Sequence, residues 1–262
     1  MLAIIRGAGD IASAIALRLH KCGVSVIMTE VEHPLTVRRT VAFSEAVRSG
    51  KTQVEGVVGI RAESADDALR RALEGVIPVL IDPKCSCIWL EPDVLVDAIL
   101  AKRNVGTAIN MAPIVIGIGP GFTAGDDCHA VVETMRGHTL GRVYYEGSVL
   151  PNTAVPGLIG GFAGERVLRA PNDGTFREVA SIRDHVEAGQ TVAYVDDAPV
   201  IATLTGTLRG LLASGTRVTK GLKCGDIDPR CQQSHCFQAS DKALAVGGGV
   251  LEALLHFGCR PD

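Results

Sequence analysis

Six short apolar runs, spaced by segments of helical pattern, limit what this chain can fold into more than any other feature. Leu2–Ile5, Val24–Thr29, Val54–Ile60, Ile77–Ile81, Val94–Val96 and Ile114–Ile118 are rich in Val and Ile. Between them lie stretches such as Ile11–His20 and Ala65–Leu73, whose apolar residues recur at helical spacing. Strands separated by helices of this length need right-handed crossovers, which predicts a mostly parallel sheet over the first half of the chain. Ligands on such sheets bind beyond the carboxyl ends of the strands, where the loops leave.

The first loop carries chemistry. "IIRGAGDIASAIA" places Gly7, Gly9 and Ala12 in a G-x-G-x-x-A pattern between a strand and a helix. The first glycine suits a tight turn, the second admits a phosphate close to the backbone, and the small third residue lets helix and sheet pack. The helix N-terminus offers unpaired N–H groups and a partial positive charge to an anion. Glu30 ends the next strand, where an acid can accept hydrogen bonds from a ribose diol. Arg6 and Asp10 depart from the usual dinucleotide pattern, since one puts a charge before the first glycine and the other puts an acid in the loop. This domain is therefore read as Rossmann-like, with either a phosphate-bearing ligand on the loop or a glycine turn that serves packing alone.

Other residues are placed near that edge by their position. Arg38 and Arg39, in "HPLTVRRTVAF", follow Glu30 and can hold phosphates bidentately. Gly119 and Gly121, in "GIGPGFTAGDD", stand beside a region carrying His129, Glu133, Arg136, His138 and Arg142, which together could embrace an anion. "DPKCSCIW" puts Cys85 and Cys87 next to Lys84 at a strand end, a setting that favours a thiolate, and Cys85 is the candidate nucleophile. Cys224, Cys231, His235 and Cys236 have ligand chemistry without paired metal-site spacing, so no metal is predicted.

Past residue 125 the texture changes. Cys128–Thr134 and Leu140–Glu146 alternate around Arg136-Gly137-His138 and read as a β-hairpin, and "PNTAVPGLIGGFAGER" as a loop. Residues 170–196 then repeat as 202–228 at a constant offset of 32, without gaps. Ala170/Ala202, Gly174/Gly206, Thr175/Thr207, Arg177/Arg209, Val186/Val218, Gly189/Gly221 and Asp196/Asp228 coincide. Two such halves predict a small all-β unit similar to the barrel-sandwich hybrid of biotinyl and lipoyl carrier domains. Those carriers attach their cofactor to a lysine on the hairpin between the halves. Here the hairpin reads "VDDAPVIA", and no lysine occurs between Lys102 and Lys220, which excludes a swinging-arm carrier. Ser240 is a plausible N-cap for a final helix that contains three consecutive glycines. The predicted organisation is 1–125, Rossmann-like; 126–168, hairpin and connection; 169–230, barrel-sandwich; and 231–262, tail and helix.

Composition removes several classes. No apolar run reaches 18 residues free of charge, so no membrane span is expected. A formal net charge of -3 gives no footprint for nucleic acid. Arg6, Asp10 and Arg18 interrupt the N-terminal apolar stretch, which is therefore no signal peptide. Eight cysteines in a chain of this kind are expected to be free or reactive, which points to the cytoplasm.

The motifs also follow one order: "RGAGDIASAIALRLH", "RRTVAFSEAV", "PDVLVDAILAKRN", "GPGFTAGDDCHAVVETMRGHTLGRV", "RVLRAPNDG", "GTLRGLL", "KGLKCGDIDPR" and "SDKALAVGGGVLEALL". Together, over essentially the whole chain, they resemble the YqeB family of the selenium-dependent molybdenum hydroxylase system. The resemblance implies an accessory or maturation protein for molybdenum hydroxylases, with the hydroxylase as client partner. It also implies a first domain similar in kind to the nucleotide-binding domain of XdhC proteins, which deliver or sulfurate molybdenum cofactor. The ligand expected on that basis is a molybdopterin dinucleotide or another nucleotide. NAD, as cofactor of an oxidoreductase, is the alternative, and a scaffold with a vestigial loop is the third reading. A homo-oligomer is compatible with all three.

Overall fold

The computed structural model describes residues 1–153 and 157–259. These form two units, one of residues 1–34, 42–153 and 239–259, the other of residues 35–41 and 157–238.

In the first unit nine strands make a single sheet: β1 (Leu2–Arg6), β2 (Ser25–Glu30), β3 (Lys51–Val54), β4 (Val57–Ala62), β5 (Ile77–Ile81), β6 (Val94–Asp97), β7 (Ile114–Ile118), β8 (Ala130–Val132) and β9 (Val143–Tyr144). Their order is β3-β4-β5-β2-β1-β6-β7-β8-β9. From β4 to β8 all neighbours are parallel, and only the edge strands β3 and β9 run antiparallel. The central strands are buried on both faces, which is why they read as continuous Val/Ile runs rather than alternating ones. The chain leaves β1 toward β2 on one side and later returns to add β6 on the other. A crevice therefore opens beyond the carboxyl ends of β1 and β6.

The run Val54–Ile60 is not one strand. Glu55 and Gly56 both have positive φ (47° and 85°) and turn the chain back between β3 and β4. Two successive positive-φ residues make the tight hairpin turn whose twist suits flanking strands.

Among the described residues four α-helices belong to this unit: α1 (Asp10–Lys21), α2 (Glu45–Ser49), α3 (Ala65–Leu73) and α4 (Asp241–His256). Ser240 caps α4 by accepting a hydrogen bond from the Ala243 N–H. The three glycines of α4 differ in duty. A Cβ at Gly247 would stand 3.1–3.5 Å from Arg18, Ala14 and Ile15 of α1, and one at Gly249 would stand 2.4 Å from the Gly141 carbonyl, whereas Gly248 faces open space. Two of the three thus let neighbours approach closely. Among the described residues no helix is long and apolar enough to cross a membrane.

The second unit is β-rich, and its 32-residue repeat is visible strand for strand. Here one half is β10 (Val167–Arg169), β11 (Gly174–Glu178), β12 (His185–Val186) and β13 (Thr191–Val195). The other half is β14 (Ala198–Ile201), β15 (Gly206–Leu211), β16 (Arg217–Val218) and β17 (Lys223–Asp228). Two four-stranded sheets result, β10-β17-β15-β12 and β14-β13-β11-β16. Each half lends its short middle strand to the other half's sheet: β12 pairs with β15 and β16 with β11. The shared core holds residues 32 apart as couples: Ala170 and Ala202, Phe176 and Leu208, Val186 and Val218, Val192 and Cys224, Val195 and Ile227.

Candidate functional site

At the carboxyl edge of the parallel sheet, the ends of β5, β2, β1 and β6 bring Asp82, Glu30, Arg6 and Asp97 into one row of adjacent strands. Arg6 and Asp97 sit in register and are 3% and 1% exposed. The Arg6 guanidinium donates to Asp97 Oδ2 at 3.1 Å and to the Thr107 hydroxyl, which itself donates to Asp97 Oδ2 at 2.6 Å. This buried ion pair stands at the switch-point crevice, and Arg6, an anomaly under the dinucleotide pattern, is one of its two partners. Its Nε has no hydrogen-bond acceptor among the described residues.

Gly7 has φ 94°, and a Cβ there would lie 3.0 Å from the Ala98 carbonyl oxygen. Its close approach is thus to the protein's own chain after β6. Gly9 is the residue before α1, and its carbonyl accepts the Ser13 N–H at 2.8 Å. Asp10 opens the helix and accepts the Ile11 N–H on Oδ1. Ala12 is 1% exposed and allows α1 to lie against the sheet. Glu30 turns inward to this loop: Oε2 accepts the Ala8 N–H at 2.9 Å and Oε1 the Val31 N–H at 2.8 Å. Burial raises the Glu30 pKa against the opposing pull of the Val31 and Ala8 amides. Each oxygen keeps a lone pair free of these bonds, so the carboxylate retains the capacity to accept a diol.

The segment following β6 crosses the same edge. Leu100 and Lys102 adopt positive φ (62° and 63°), uncommon for side-chain-bearing residues. Further along, a Cβ at Gly121 would fall 2.6 Å from the Arg103 backbone, and one at Gly119 would fall 2.7 Å from Thr134 Oγ1. The glycines of "GPGF" therefore admit neighbouring parts of the first unit.

Lys102 and Lys242 make no hydrogen bond or ion pair among the described residues. Desolvation lowers the Lys102 pKa, although the residue as a whole is exposed. For Lys242, at the start of α4, burial lowers it and repulsion from Lys102 and Arg136 adds to the effect, while Asp10 and Glu133 oppose. Most of the acid here is already engaged. The Arg136 fork is closed on Asp241 at 2.8 and 2.9 Å. Glu133, fully buried, accepts the Thr134 and Met135 N–H groups on one oxygen and the Leu150 N–H on the other. Asp10 acts on Lys242 alongside Glu133. Sequence reasoning missed both lysines because 140 residues separate them, and missed Asp97 and Thr107 because a lone Asp ending a Val-rich run resembles any strand terminus.

Other expected residues have different surroundings. His129 Nδ1 accepts the Val115 N–H at 2.9 Å, and its ring meets Phe257 edge-on. His138 is exposed in the turn before β9. Arg38 and Arg39 belong to the second unit, because Val37 buries itself in that unit's core. Arg38 donates to the His235 and Gln238 carbonyls at 2.9 and 3.0 Å, and Arg39 to the Leu211 carbonyl and the Glu178 carboxylate.

Cys85 and Cys87 follow β5 and are 1% and 2% exposed. The Cys85 N–H donates to the Asp82 carbonyl at 3.0 Å and the Cys87 N–H to Asp82 Oδ2 at 2.8 Å. Burial opposes ionisation of Asp82, but the Ser86 and Cys87 N–H groups outweigh it and hold the carboxyl below its usual range. A hydrogen bond from Cys87 lowers the Cys85 pKa against the effect of burial, and the Arg6 charge adds to the lowering; the Cys87 thiol is pushed up.

No family model matches the sequence. Among solved structures, an aspartoacylase family protein from Mesorhizobium loti is 13% identical, with 86% of this chain and 84% of that chain covered and a TM-score of 0.27. A succinylglutamate desuccinylase/aspartoacylase from Rhodobacter sphaeroides is 16% identical, with 86% of each chain covered and a TM-score of 0.24. Likenesses this slight carry no argument about fold or chemistry. The YqeB protein of Escherichia coli K12 is 52% identical over 255 residues, which are 97% of this chain and 47% of that protein. The chain thus spans about half the length of that relative. With half its residues identical along nearly its whole length, the chain belongs to the YqeB family.

Proposed function

We propose that this chain is the ligand-binding part of an accessory factor that matures selenium-dependent molybdenum hydroxylases, with the hydroxylase as its client. The ligand is a molybdopterin dinucleotide or a nucleotide used in processing one. Its phosphates lie at the N-terminus of α1, beside Gly9 and Asp10, where Lys102 and Lys242 supply charge. The single observation that carries this reading is the two lysines without an ion-pair partner among the described residues, in the same electrostatic neighbourhood as the start of α1. A phosphate dianion there would offset the burial, and the added repulsion from Lys102 and Arg136, that now depress the Lys242 pKa. Glu30, with one lone pair left on each oxygen, would take the ribose diol. Gly119, Gly121, His129 and His138 would frame the ligand at a distance from the phosphates. The first unit is read as a Rossmann-like domain. The second is read as a barrel-sandwich hybrid kept without its attachment lysine, which docks the client.

The fit is to the phosphates and the ribose; no residue here singles out a pterin ring. NAD is therefore the alternative ligand, and Glu30 on the diol is the observation in its favour. Native mass spectrometry of protein purified anaerobically from its host tests the reading. A co-purifying pterin dinucleotide or nucleotide that disappears in Gly9→Asp supports it, and NAD in its place supports the oxidoreductase. Ligand-free protein whose Gly9→Asp variant still captures the hydroxylase overturns both in favour of a scaffold.

A further inference from the structure

Cys85 and Cys87 have a setting that two incidental core thiols do not need. Both lie in the apolar cluster that includes Leu95, Val115 and Phe122, where Ala or Val would fill the space. Cys85 instead holds a left-handed backbone (φ 55°, ψ 44°), a conformation that costs a non-glycine residue roughly 1–2 kcal/mol. The turn is pinned by Asp82 through both its carbonyl and its carboxylate. It keeps both side chains in that one buried cluster, where the Cys87 thiol is the main influence lowering the Cys85 pKa. Residues two apart in such a turn have Cα atoms roughly 5–6 Å apart, inside the span of roughly 4.4–6.8 Å that a disulfide bridges.

The charged groups acting on Cys85 are Arg6, Asp82 and Asp97. Asp82 is engaged with the turn and Asp97 with Arg6 and Thr107, while Arg6 retains a buried Nε–H without an acceptor among the described residues. The pair is asymmetric, with Cys85 set up as the thiolate and Cys87 as its proton-bearing neighbour. That is the division of labour in dithiols that exchange with disulfides.

We propose that Cys85 and Cys87 form a two-electron dithiol–disulfide couple, with Cys85 the attacking thiolate toward a low-molecular-weight disulfide and Cys87 the resolving thiol. In the first step Cys85 Sγ bonds to one sulfur of the disulfide and the other leaves as a thiolate. That thiolate takes the Cys87 proton. Cys87 Sγ then bonds to Cys85 Sγ and expels the second thiolate, which takes from solvent the proton that Cys85 released on ionising, so that the protein loses two electrons and the small disulfide is reduced to two thiols. Both thiols are buried, so each turnover waits on local opening of residues 82–91. The proposal is independent of the phosphate-ligand reading, and either can fail without the other.

The test is incubation of the whole chain with oxidised glutathione, acid quench, alkylation and peptide mass spectrometry. The expected product is an internal Cys85–Cys87 disulfide, two hydrogens lighter and resistant to alkylation, which dithiothreitol reverses. The exposed Cys22 and Cys231 gain one glutathione each. In Cys87→Ser the intermediate is trapped as glutathione on Cys85, and in Cys85→Ser the rate at Cys87 falls at least tenfold. Cys87→Ala, with an unchanged circular dichroism spectrum, guards against misfolding of the serine variant and must trap the same adduct. Full alkylation of both residues when Cys22 and Cys231 are already modified overturns the proposal, as does a Cys87→Ser or Cys87→Ala protein that traps nothing on Cys85.

Discussion

The Arg6–Asp97 pair can be broken from either side, and its burial sets the size of the effect. In Arg6→Met the Asp97 carboxylate, 1% exposed, is left with the Thr107 hydroxyl and the Ile99 N–H as donors. An uncompensated buried charge of this kind costs about 3–5 kcal/mol. A domain of this size shifts its melting temperature by about 2–4 °C per kcal/mol, so Arg6→Met is expected to lower the midpoint by roughly 6–20 °C. Asp97→Asn strands the guanidinium instead and should cost a similar amount. The double variant strands neither charge, keeps the Ile99 and Thr107 hydrogen bonds within reach of the asparagine, and should recover at least about 2 kcal/mol relative to additivity. Trp89, the single tryptophan, lies in the first unit, so fluorescence-monitored melts of the four proteins report on the right region. A midpoint within about 2 °C of the parent for Arg6→Met, or strictly additive losses, would refute the reasoning. The same substitution removes the positive charge beside Cys85, so alkylation of that thiol at neutral pH should slow.

Three further outcomes follow from single contacts. Gly121→Ala puts a Cβ 2.6 Å from backbone atoms at a φ of 112° and should cost about 2–4 kcal/mol, whereas Gly125→Ala, at φ 95° in open space, should cost about 1–2 kcal/mol; urea melts that rank them in the opposite order would contradict this. Glu133→Gln cannot accept all three backbone N–H groups on its one remaining oxygen, so about 1–3 kcal/mol should be lost to the unpaired amide, and a thermal midpoint equal to the parent's would count against it. Lys242 has a depressed folded-state pKa, so between that value and the ordinary lysine value the unfolded chain binds more protons and stability rises with pH. Relative to Lys242→Met, the parent should gain stability as pH rises toward the ordinary lysine value, and a constant or widening deficit would show that the lysine is not desolvated.

Much of this fold could be read from periodicity because the parallel strands and the repeated β halves each write their pattern locally. Ile77–Ile81 and Ile114–Ile118 became strands with the bounds the sequence implied, and Phe176 and Leu208 stand in the same core as the 32-residue offset requires. The β3–β4 turn was lost inside an apolar run because Glu-Gly was weighed as part of a strand rather than as two positive-φ positions. The assignment of Arg38 and Arg39 to the second unit was not legible either. Their nearness to Glu30 in sequence says nothing about the tertiary pull of Val37, whose burial in the other unit's core goes with the assignment of residues 35–41 to that unit. The candidate site was legible as far as the glycine loop, Glu30 and Cys85. Its charge came from Lys102, Asp97 and Lys242, which only tertiary packing assembles.

The central claim is that a phosphate-bearing ligand sits at the start of α1 under Lys102 and Lys242. Calorimetric titration of a pterin dinucleotide, and of the free nucleoside diphosphate that forms part of it, into the parent and into Lys102→Met/Lys242→Met tests it directly. Two charge-assisted contacts, each contributing about 1.5–3 kcal/mol, predict binding by the parent that is weakened at least a hundredfold in the double variant and that falls as salt is raised. No heat with either ligand at protein concentrations well above micromolar, or equal affinity for parent and double variant, would contradict the account.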